Sequence, residues 1–184
     1  GCENTIYGQL LAVGFGGDGS RDTGFGTEGI VTATGRVNCA TMLSDGSIMV
    51  GGYSYSESVQ RTASYLHVLA DGTLDPAYGG AFRTLRLKGG DARHTTSFDH
   101  MRALSDGSVI AAGEFGGDVM LYKILPSGFG TRRYGTGGLT AIDFGTDDDS
   151  ASGLVSLADG SVVVLAENVL ARVSGDGSVL TTFG

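Results

Sequence analysis

The sequence predicts an all-β fold built from repeats, and three observations support this prediction. The same turn, Asp-Gly-Ser between apolar alternations, occurs three times, beginning at Asp45, Asp106 and Asp159. Glycine makes up 33 of the 184 residues and supplies the positive φ angles that tight hairpins require. No stretch shows a sustained 3.6-residue apolar period. We therefore expect more than about 40% strand, against an average near 20–25%, and almost no α-helix.

The three Asp-Gly-Ser turns, here called the inner turns, alternate along the chain with a second set of four outer turns. The outer turns are Asp18-Gly19-Ser20, Asp71-Gly72-Thr73, Ser127-Gly128 and Asp176-Gly177-Ser178. An Asp-Gly pair between apolar alternations is a strong hairpin signal, because both residues tolerate positive φ. An aromatic residue followed by glycine comes after each outer turn. These aromatic–glycine elements are Phe25-Gly26, Tyr78-Gly79, Tyr134-Gly135 and Phe183-Gly184. We expect the aromatic rings to fill the gaps between adjacent sheets.

Counted along the sequence, each repeat unit contains four strands. The predicted strands are 29–33, 38–43, 47–52 and 63–69, then 81–87, 99–104, 108–113 and 119–125, then 139–144, 153–157, 161–166 and 168–173. Four antiparallel strands in about 50 residues is the arrangement of a propeller blade. The chain is therefore predicted to be a β-propeller-like array of about three four-stranded antiparallel repeats. Residues 1–184 form one domain with units near 18–70, 71–126 and 127–175 and a partial unit at each end.

The recurring elements resemble the delta-60 repeat, a bacterial β-propeller-type repeat. The resemblance rests on the aromatic–glycine elements, the inner turns with their following apolar strand, and the outer turns, which recur in one order from Leu10 to Gly184. Serine replaces the usual lysine after each inner Asp-Gly, and Leu165-Ala166 stands where the other units have glycine. The resemblance implies a propeller-type architecture and export from a bacterial cell. It implies no catalytic residues.

Charge and composition exclude some classes of function. The net charge of −8, with only Lys88 and Lys123 as lysines, argues against nucleic-acid binding, which depends on neutralising phosphates. No apolar run approaches the roughly 20 residues that span a bilayer. We expect no cofactor.

The first residues leave three interpretations open. Gly1-Cys2 resembles a lipoprotein cleavage junction, in which the cysteine carries lipid; it also fits the remnant of an export signal, or a simple boundary of the sequence. Cys2 and Cys39 would form a disulfide only in an oxidising compartment. We expect an extracellular or cell-surface location, with anchoring to an outer membrane as one form of it.

Three units do not complete a ring, because propellers usually close with four to eight blades. The segment Tyr7–Val13 aligns with the last strand of each unit but has no inner strands before it. Exposed sheet edges pair with whatever complements them. We therefore expect a homo-oligomer, a dimer or trimer. A fragment of a longer protein and closure of the repeats in another form stay open as alternatives.

The candidate ligand-binding residues lie in the two insertions that interrupt the repeat. Tyr53 and Tyr55 lie in the first insertion, residues 53–62, and Arg93 and His94 lie in the second, residues 88–97. Loops on a rigid scaffold carry recognition, and tyrosine with serine forms an adaptable binding surface. The alternative is that these are ordinary loop residues.

The acidic run Asp147, Asp148, Asp149 is a weak candidate for Ca²⁺, which takes six to eight oxygen ligands. Its spacing matches no EF-hand, and a solvated turn is the alternative. The three histidines, His67, His94 and His100, are expected at the surface.

These observations predict a non-enzymatic recognition or adhesion module of an exported bacterial protein. Its ligand would be a glycan or a cell-surface protein, bound through the loops between repeats. The alternative is a structural assembly module of a fibre or larger surface protein, whose ligand is its own neighbour.

Overall fold

The strands of a computed structural model follow the predicted turns closely. The model describes residues 9–55, 61–85, 95–145, 149–166 and 168–180. Its strands are β1 Gln9–Val13, β2 Ile30–Thr34, β3 Arg36–Met42, β4 Ile48–Tyr55, β5 Arg61–Val68, β6 Arg83–Thr84, β7 Thr96–Ala103, β8 Val109–Phe115, β9 Asp118–Ile124, β10 Leu139–Ile142, β11 Ala151–Ser156, β12 Val162–Ala166, β13 Val169–Val173 and β14 Val179–Leu180. These strands make up about half of the described residues, which otherwise contain one 3-10 turn, Pro76–Tyr78, and no α-helix. The all-β prediction is confirmed.

The strands form four antiparallel sheets. The first sheet has two strands, β1 and β2, and the other three have four strands each in chain order: β3–β6 in the second, β7–β10 in the third and β11–β14 in the fourth. Among the described residues no helix is long and apolar enough to cross a membrane. Neither a closed barrel nor a closed ring of sheets is found in this part of the chain.

The predicted grouping of strands into sheets is wrong by one strand. The strand that follows each outer turn pairs with the strand before that turn, so it completes the preceding sheet instead of opening the next one. In the first sheet, for example, Val13 pairs with Ile30, and in the third Val119 pairs with Ile142. The physical reason is that the outer turns are themselves hairpins. Leu69 N–H donates to the Thr73 carbonyl, and Val68 pairs with Leu74, so the turn reverses the chain. After the Pro76–Tyr78 turn, β6 pairs with β5.

Three apolar cores lie between consecutive sheets. Val50 and Leu66 pack towards the first sheet, Met49 and Tyr65 pack towards the third, and the third and fourth sheets enclose a core of their own. Successive strand residues point to opposite faces, so each four-stranded sheet of the interior contributes to two cores. The inner hairpins supply the buried residues Val50, Val109, Ala111, Val162 and Val164 to these cores, together with the half-buried Ile48.

Three aromatic–glycine elements fill the gaps between sheets, as predicted, and the fourth, Phe183-Gly184, lies outside the described residues. Phe25 packs into the core between the first and second sheets, Tyr78 into the next and Tyr134 into the last. Tyr78 and Tyr134 are nearly inaccessible to solvent. Each of these three elements lies against the outer turn of the following sheet, and Gly26 N–H donates to the Asp71 carbonyl at 2.7 Å. Adjacent sheets are therefore joined at these turns as well as by apolar packing, through backbone hydrogen bonds from Gly26 and Gly135 and through the Tyr78 ring against Gly128.

Candidate functional site

Because each sheet is a meander, its connections lie at the two opposite ends of its strands. These two ends, here called edges, differ chemically. Inner and outer turns all lie at one edge, because they join the first strand to the second and the third to the fourth. We call this the repeated-turn edge. The opposite edge, here the variable edge, holds the connections at 56–60, 116–117 and 167–168 within the sheets and those at 85–95 and 143–150 between them. The inner turns are alike in length and sequence, whereas the connections at this second edge range from the single residue Gly35 to the eleven residues 85–95.

Tyr53 and Tyr55 lie at the variable edge, at the end of β4. They are two residues apart and point to the same face of the second sheet, the face that packs against the third. Their ring centroids are 5.5 Å apart and the rings are perpendicular. The Arg61 guanidinium lies 5.5 Å from the Tyr53 centroid and 3.9 Å from Glu114 Oε2 on β8. All four side chains are half-buried. Burial, followed by a hydrogen bond with Tyr55, raises the pKa of Tyr53.

Arg93 and His94 lie outside the described residues. The connection that carries them begins and ends at this edge, after β6 and before β7. At its far end, Thr95 Oγ1 donates to Glu114 Oε1 at 3.4 Å, so this strand end lies beside the ion pair of Arg61 and Glu114. Sequence reasoning missed Arg61 and Glu114, because strand pairing brings Arg61 to Tyr53 and the packing of two sheets brings Glu114 to Arg61.

Three aspartates meet elsewhere on the variable edge. Carboxylate oxygens of Asp118, Asp143 and Asp149 lie within 4.8 Å of one another, and Asp149 is fully buried. Two backbone amides of the same connection bond to them: Phe144 N–H donates to Asp149 Oδ2 and Gly145 N–H to Asp143 Oδ1. Backbone amides within this turn therefore hydrogen-bond the aspartate carboxylates of the same turn.

Of the predicted calcium ligands, Asp149 takes part in this acidic cluster, and Asp147 and Asp148 lie outside the described residues. The other two members could have been found from strand pairing. Ile142 pairs with Val119, which places Asp143 and Asp118 at the next position of the same register. Hydrogen bonding by the backbone accounts for the arrangement, and we assign no metal to it.

The expectation that His67 is a surface residue is wrong. His67 is buried, and its ring nitrogens bond to Asp75 Oδ2 at 2.7 Å and to Ser47 Oγ at 2.8 Å. A serine, a histidine and an aspartate in this order resemble a nucleophilic triad. Ser47 is only 1% exposed, however, and its hydroxyl donates to Asp45 Oδ1. Ser47 Oγ therefore has no proton to give to His67 and no access to a substrate in this conformation.

The repeats explain why this histidine is present. The position of His67 in β5 is taken by Lys123 in β9 and Arg172 in β13, counted back from the outer turns. Lys123 Nζ lies 3.2 Å from Asp106 Oδ2, and Arg172 donates to both Asp159 and Ser161. A basic side chain on the neighbouring strand thus bonds to a side chain of each inner turn. His67 has the same structural role.

Cys39 is half-buried and has no disulfide partner among the residues that the structure describes, and its thiol donates to the Phe98 carbonyl oxygen at 3.6 Å. Burial, and after it the nearby Asp99 carboxylate, raise its pKa to about 12. Cys2 lies outside the described residues. Cys39 is therefore an unreactive core residue at neutral pH, because the thiolate is the reactive form.

Comparison with known proteins identifies the fold and no family. No protein-family model and no curated protein sequence matches the chain. A crystal structure of a protein of unknown function from Bacteroides caccae is similar, with a TM-score of 0.50 and 13% sequence identity. The similarity covers 94% of this chain and 57% of that protein, so the chain spans little more than half the length of its structural neighbour. At this identity the similarity describes the fold alone.

Proposed function

We propose that this chain is a non-enzymatic recognition module, which binds a glycan or another cell-surface ligand at its variable edge. The scaffold is a β-propeller-like array of the delta-60 type, in which each sheet corresponds to a blade. Export from a bacterial cell is part of the same proposal. The observation that carries it is the half-buried cluster of Tyr53, Tyr55 and Arg61 at the edge where the repeat varies.

The chemistry of this cluster suits a polar ligand with apolar faces. Tyrosines offer a large, rigid contact area together with a hydroxyl group, at a small cost in conformational entropy. Arg61 supplies hydrogen-bond donors in a fixed planar arrangement and is held over the Tyr53 ring. Sugars present both hydroxyl groups and apolar ring faces. Tyr53, Tyr55, Arg61 and Glu114 are all half-buried. Part of each side chain is therefore available to a ligand, while packing fixes the remainder.

The proposal is tested by replacing Tyr53 and Tyr55 with alanine and screening the folded protein on a glycan array. A matched control exists at the repeated-turn edge, where the exposed Phe129 ring lies 4.3 Å from the Arg83 guanidinium. We expect the double variant to lose binding with a nearly unchanged melting temperature, and Phe129→Ala to retain binding. Binding that survives in the double variant would place the site elsewhere. Unfolding of the double variant would make the two tyrosines core residues.

A second candidate function, structural assembly, is favoured by the two ends of the sheet series. Phe15 beside the first sheet is 67% exposed, and Leu170 on the fourth sheet is 53% exposed. The residues equivalent to Phe15 and to Leu170 in the other sheets are buried, so these exposed side chains mark surfaces that a further repeat would cover. In this function the partner of the chain is a second copy of itself.

A further inference from the structure

One β-bulge recurs at the same position of the repeat in all three four-stranded sheets. It lies in the first strand of each sheet, where one residue has no partner on the second strand. The three bulge residues, here called the bulge row, are Asn38, Asp99 and Ser152, and each comes seven positions before the aspartate of its inner turn. Bulges redirect a side chain and are common next to active sites. In this chain they place three polar side chains at one position of three consecutive sheets.

The bulge explains two glycines of the second strands. Seven positions after the inner-turn aspartate, the second sheet has Gly52 and the third has Gly113. A Cβ atom on Gly52 would overlap the Arg36 carbonyl oxygen, and one on Gly113 would overlap the Ser97 carbonyl oxygen. In the fourth sheet, whose first strand begins one residue before the bulge, this position is Ala166. In the second and third sheets the bulged backbone therefore excludes a side chain from the facing strand.

The bulge side chains of the second and third sheets meet. Asn38 Nδ2 donates to Asp99 Oδ1 at 2.7 Å across the gap between these sheets, and Ser97 Oγ donates to Asp99 Oδ2 at 2.9 Å. Ser97 is buried, whereas Asp99 is half-buried and Asn38 is exposed. Two neutral donors thus fix the carboxylate, and part of it stays open to solvent.

The negative charge of Asp99 has no positive partner in the described part of the chain. None of the ion pairs there includes it, and its hydrogen bonds come from an amide and a hydroxyl. The Asn38 amide and the Ser97 hydroxyl add further acceptor oxygens beside the carboxylate. Charges removed from water are normally paired. The composition of this site therefore favours a ligand group that is both a cation and a hydrogen-bond donor.

The row is open on the side of the fourth sheet. Ser152 occupies the bulge there, but its hydroxyl donates to the Leu165 carbonyl at 3.2 Å. No hydrogen bond joins Ser152 to Asp99 among the residues that the structure describes. Serine is shorter than the asparagine that reaches Asp99 from the second sheet. A ligand donor can therefore take, on this side, the place that Asn38 takes on the other.

The bulge row is continuous with the tyrosine cluster at the variable edge. Arg36 pairs with Tyr53 and lies two residues before Asn38, which is about 7 Å along the strand. Ser97, which bonds to the row, pairs with Glu114 beside the cluster. One ligand of modest size can therefore contact the tyrosine rings and the bulge row together.

We propose that the bulge row and the tyrosine cluster form one site, whose ligand is a glycan with unsubstituted amino groups. The protonated amino group of one sugar donates to the Asp99 carboxylate and to the Asn38 amide oxygen, while a neighbouring sugar ring lies on Tyr53. An ammonium group supplies three donors and a positive charge, which suits a carboxylate site rich in acceptors. An N-acetylated sugar has an uncharged amide at this place. The inference rests on the recognition function proposed above and names the class of glycan that is recognised.

The test compares binding of glucosamine oligomers with binding of the same oligomers after full N-acetylation. Isothermal titration calorimetry at about 0.15 M salt measures both, because exposed charges are then largely screened. We expect the full chain to bind the amino form at least about tenfold more tightly, since hydrogen bonds between charged groups are the stronger ones. Asp99→Asn should remove this preference. Melting temperatures show whether each variant is folded.

Asp22→Asn is the matched control for the change in net charge. Asp22 is exposed at the repeated-turn edge, and its Oδ1 accepts from the Gly24 N–H, a bond that asparagine also forms. This variant should bind both oligomers as the full chain does, which separates Asp99 from general attraction between an acidic protein and a cationic glycan. Asn38→Ala provides a second test that does not depend on the folding of Asp99→Asn, because Asn38 is exposed. It should weaken binding of the amino form and leave the N-acetylated form unchanged.

The outcomes separate this inference from the recognition function. Equal affinity of the full chain for both oligomers, or a preference that is unchanged in Asp99→Asn and Asn38→Ala, would overturn the inference. Equal competition by a short lysine peptide would overturn a glycan as the source of the amino group. Glycan-array binding that depends on Tyr53 and Tyr55 but includes no amino sugar would keep the recognition function and overturn the inference. An array without any binding would overturn both.

Discussion

Replacing Gly72 with alanine tests how strongly the outer turns hold adjacent sheets together. Gly72 lies in Ala70-Asp71-Gly72-Thr73, and its φ is 82°. Ala158-Asp159-Gly160-Ser161 has nearly the same sequence, the same two turn hydrogen bonds and a Gly160 φ of 80°. The difference lies in the surroundings. A methyl group on Gly72 meets the Gly26 nitrogen at 2.3 Å, whereas nothing lies within 4 Å of one on Gly160.

The two variants are therefore expected to differ by the energy of the sheet contact alone. Alanine at positive φ costs about 1–2 kcal/mol at either position. At Gly72 the methyl group also displaces the Gly26 amide, which removes a hydrogen bond worth about 1 kcal/mol, and it overpacks the contact at about 1–3 kcal/mol. We expect Gly72→Ala to be less stable than Gly160→Ala by about 2–4 kcal/mol in total.

Urea unfolding measured by circular dichroism gives this difference. With a slope of about 2 kcal/mol per molar urea, the two midpoints should lie about 1–2 M apart. Both experiments should be run at a concentration where the protein is in a single association state, since assembly also stabilises the folded chain. Equal midpoints for the two variants would refute the reasoning. The turn contact would then be a consequence of the packing and not a cause of it.

Two further predictions concern the inner turns. His67→Ala leaves Asp75 and Ser47 without their buried partner and should cost about 2–3 kcal/mol, whereas His67→Lys should restore much of the loss, as Lys123 stands at that position in the next repeat. Unfolding midpoints measure this, and an esterase activity abolished by Ser47→Ala in the folded protein would contradict the structural role. Acid should destabilise the chain, because hydrogen bonds from the serine side chains lower the pKa of Asp45 and Asp159. A lowered folded pKa gives stability that is present above the unfolded value of about 3.9 and is lost as the pH falls through the folded one. Unfolding followed between about pH 5 and pH 2 tests this, and a flat profile would contradict it.

Local signals made the turns and strands predictable. In each Asp-Gly turn the Asp side chain accepts hydrogen bonds from the residue two positions later, which stabilises the hairpin. Asp106, for example, accepts hydrogen bonds from the backbone amide and the hydroxyl of Ser108. Three of the aromatic residues before glycine were correctly placed between sheets, because a large ring in a repeated position needs a repeated cavity.

The membership of the sheets was mispredicted although the same rule applied to it. The outer turn at Asp71-Gly72 reverses the chain, and β6, which begins at Arg83, then pairs with β5. The sequence unit therefore crosses from one sheet to the next. Counting strands by unit conflicts with this pairing.

The candidate site was predictable only in part, because its members come from different sheets. Tyr53 and Tyr55 could be chosen from their position in an insertion, but Arg61 and Glu114 join them through strand pairing and sheet packing. The role of His67 required knowledge of its equivalents, Lys123 and Arg172. A lone histidine in an alternating strand gives no sign that it replaces a lysine.

The offset between sequence unit and sheet affects how such a chain can change its length. A duplication that copies the segment from one outer turn to the next adds three strands of a new sheet and the closing strand of the sheet before it. Every sheet on either side of the copied segment then keeps its full set of strands, and the new turn finds an aromatic residue ready to contact it. Arrays of this kind can therefore gain or lose whole units by recombination without passing through a form with an incomplete sheet in its middle.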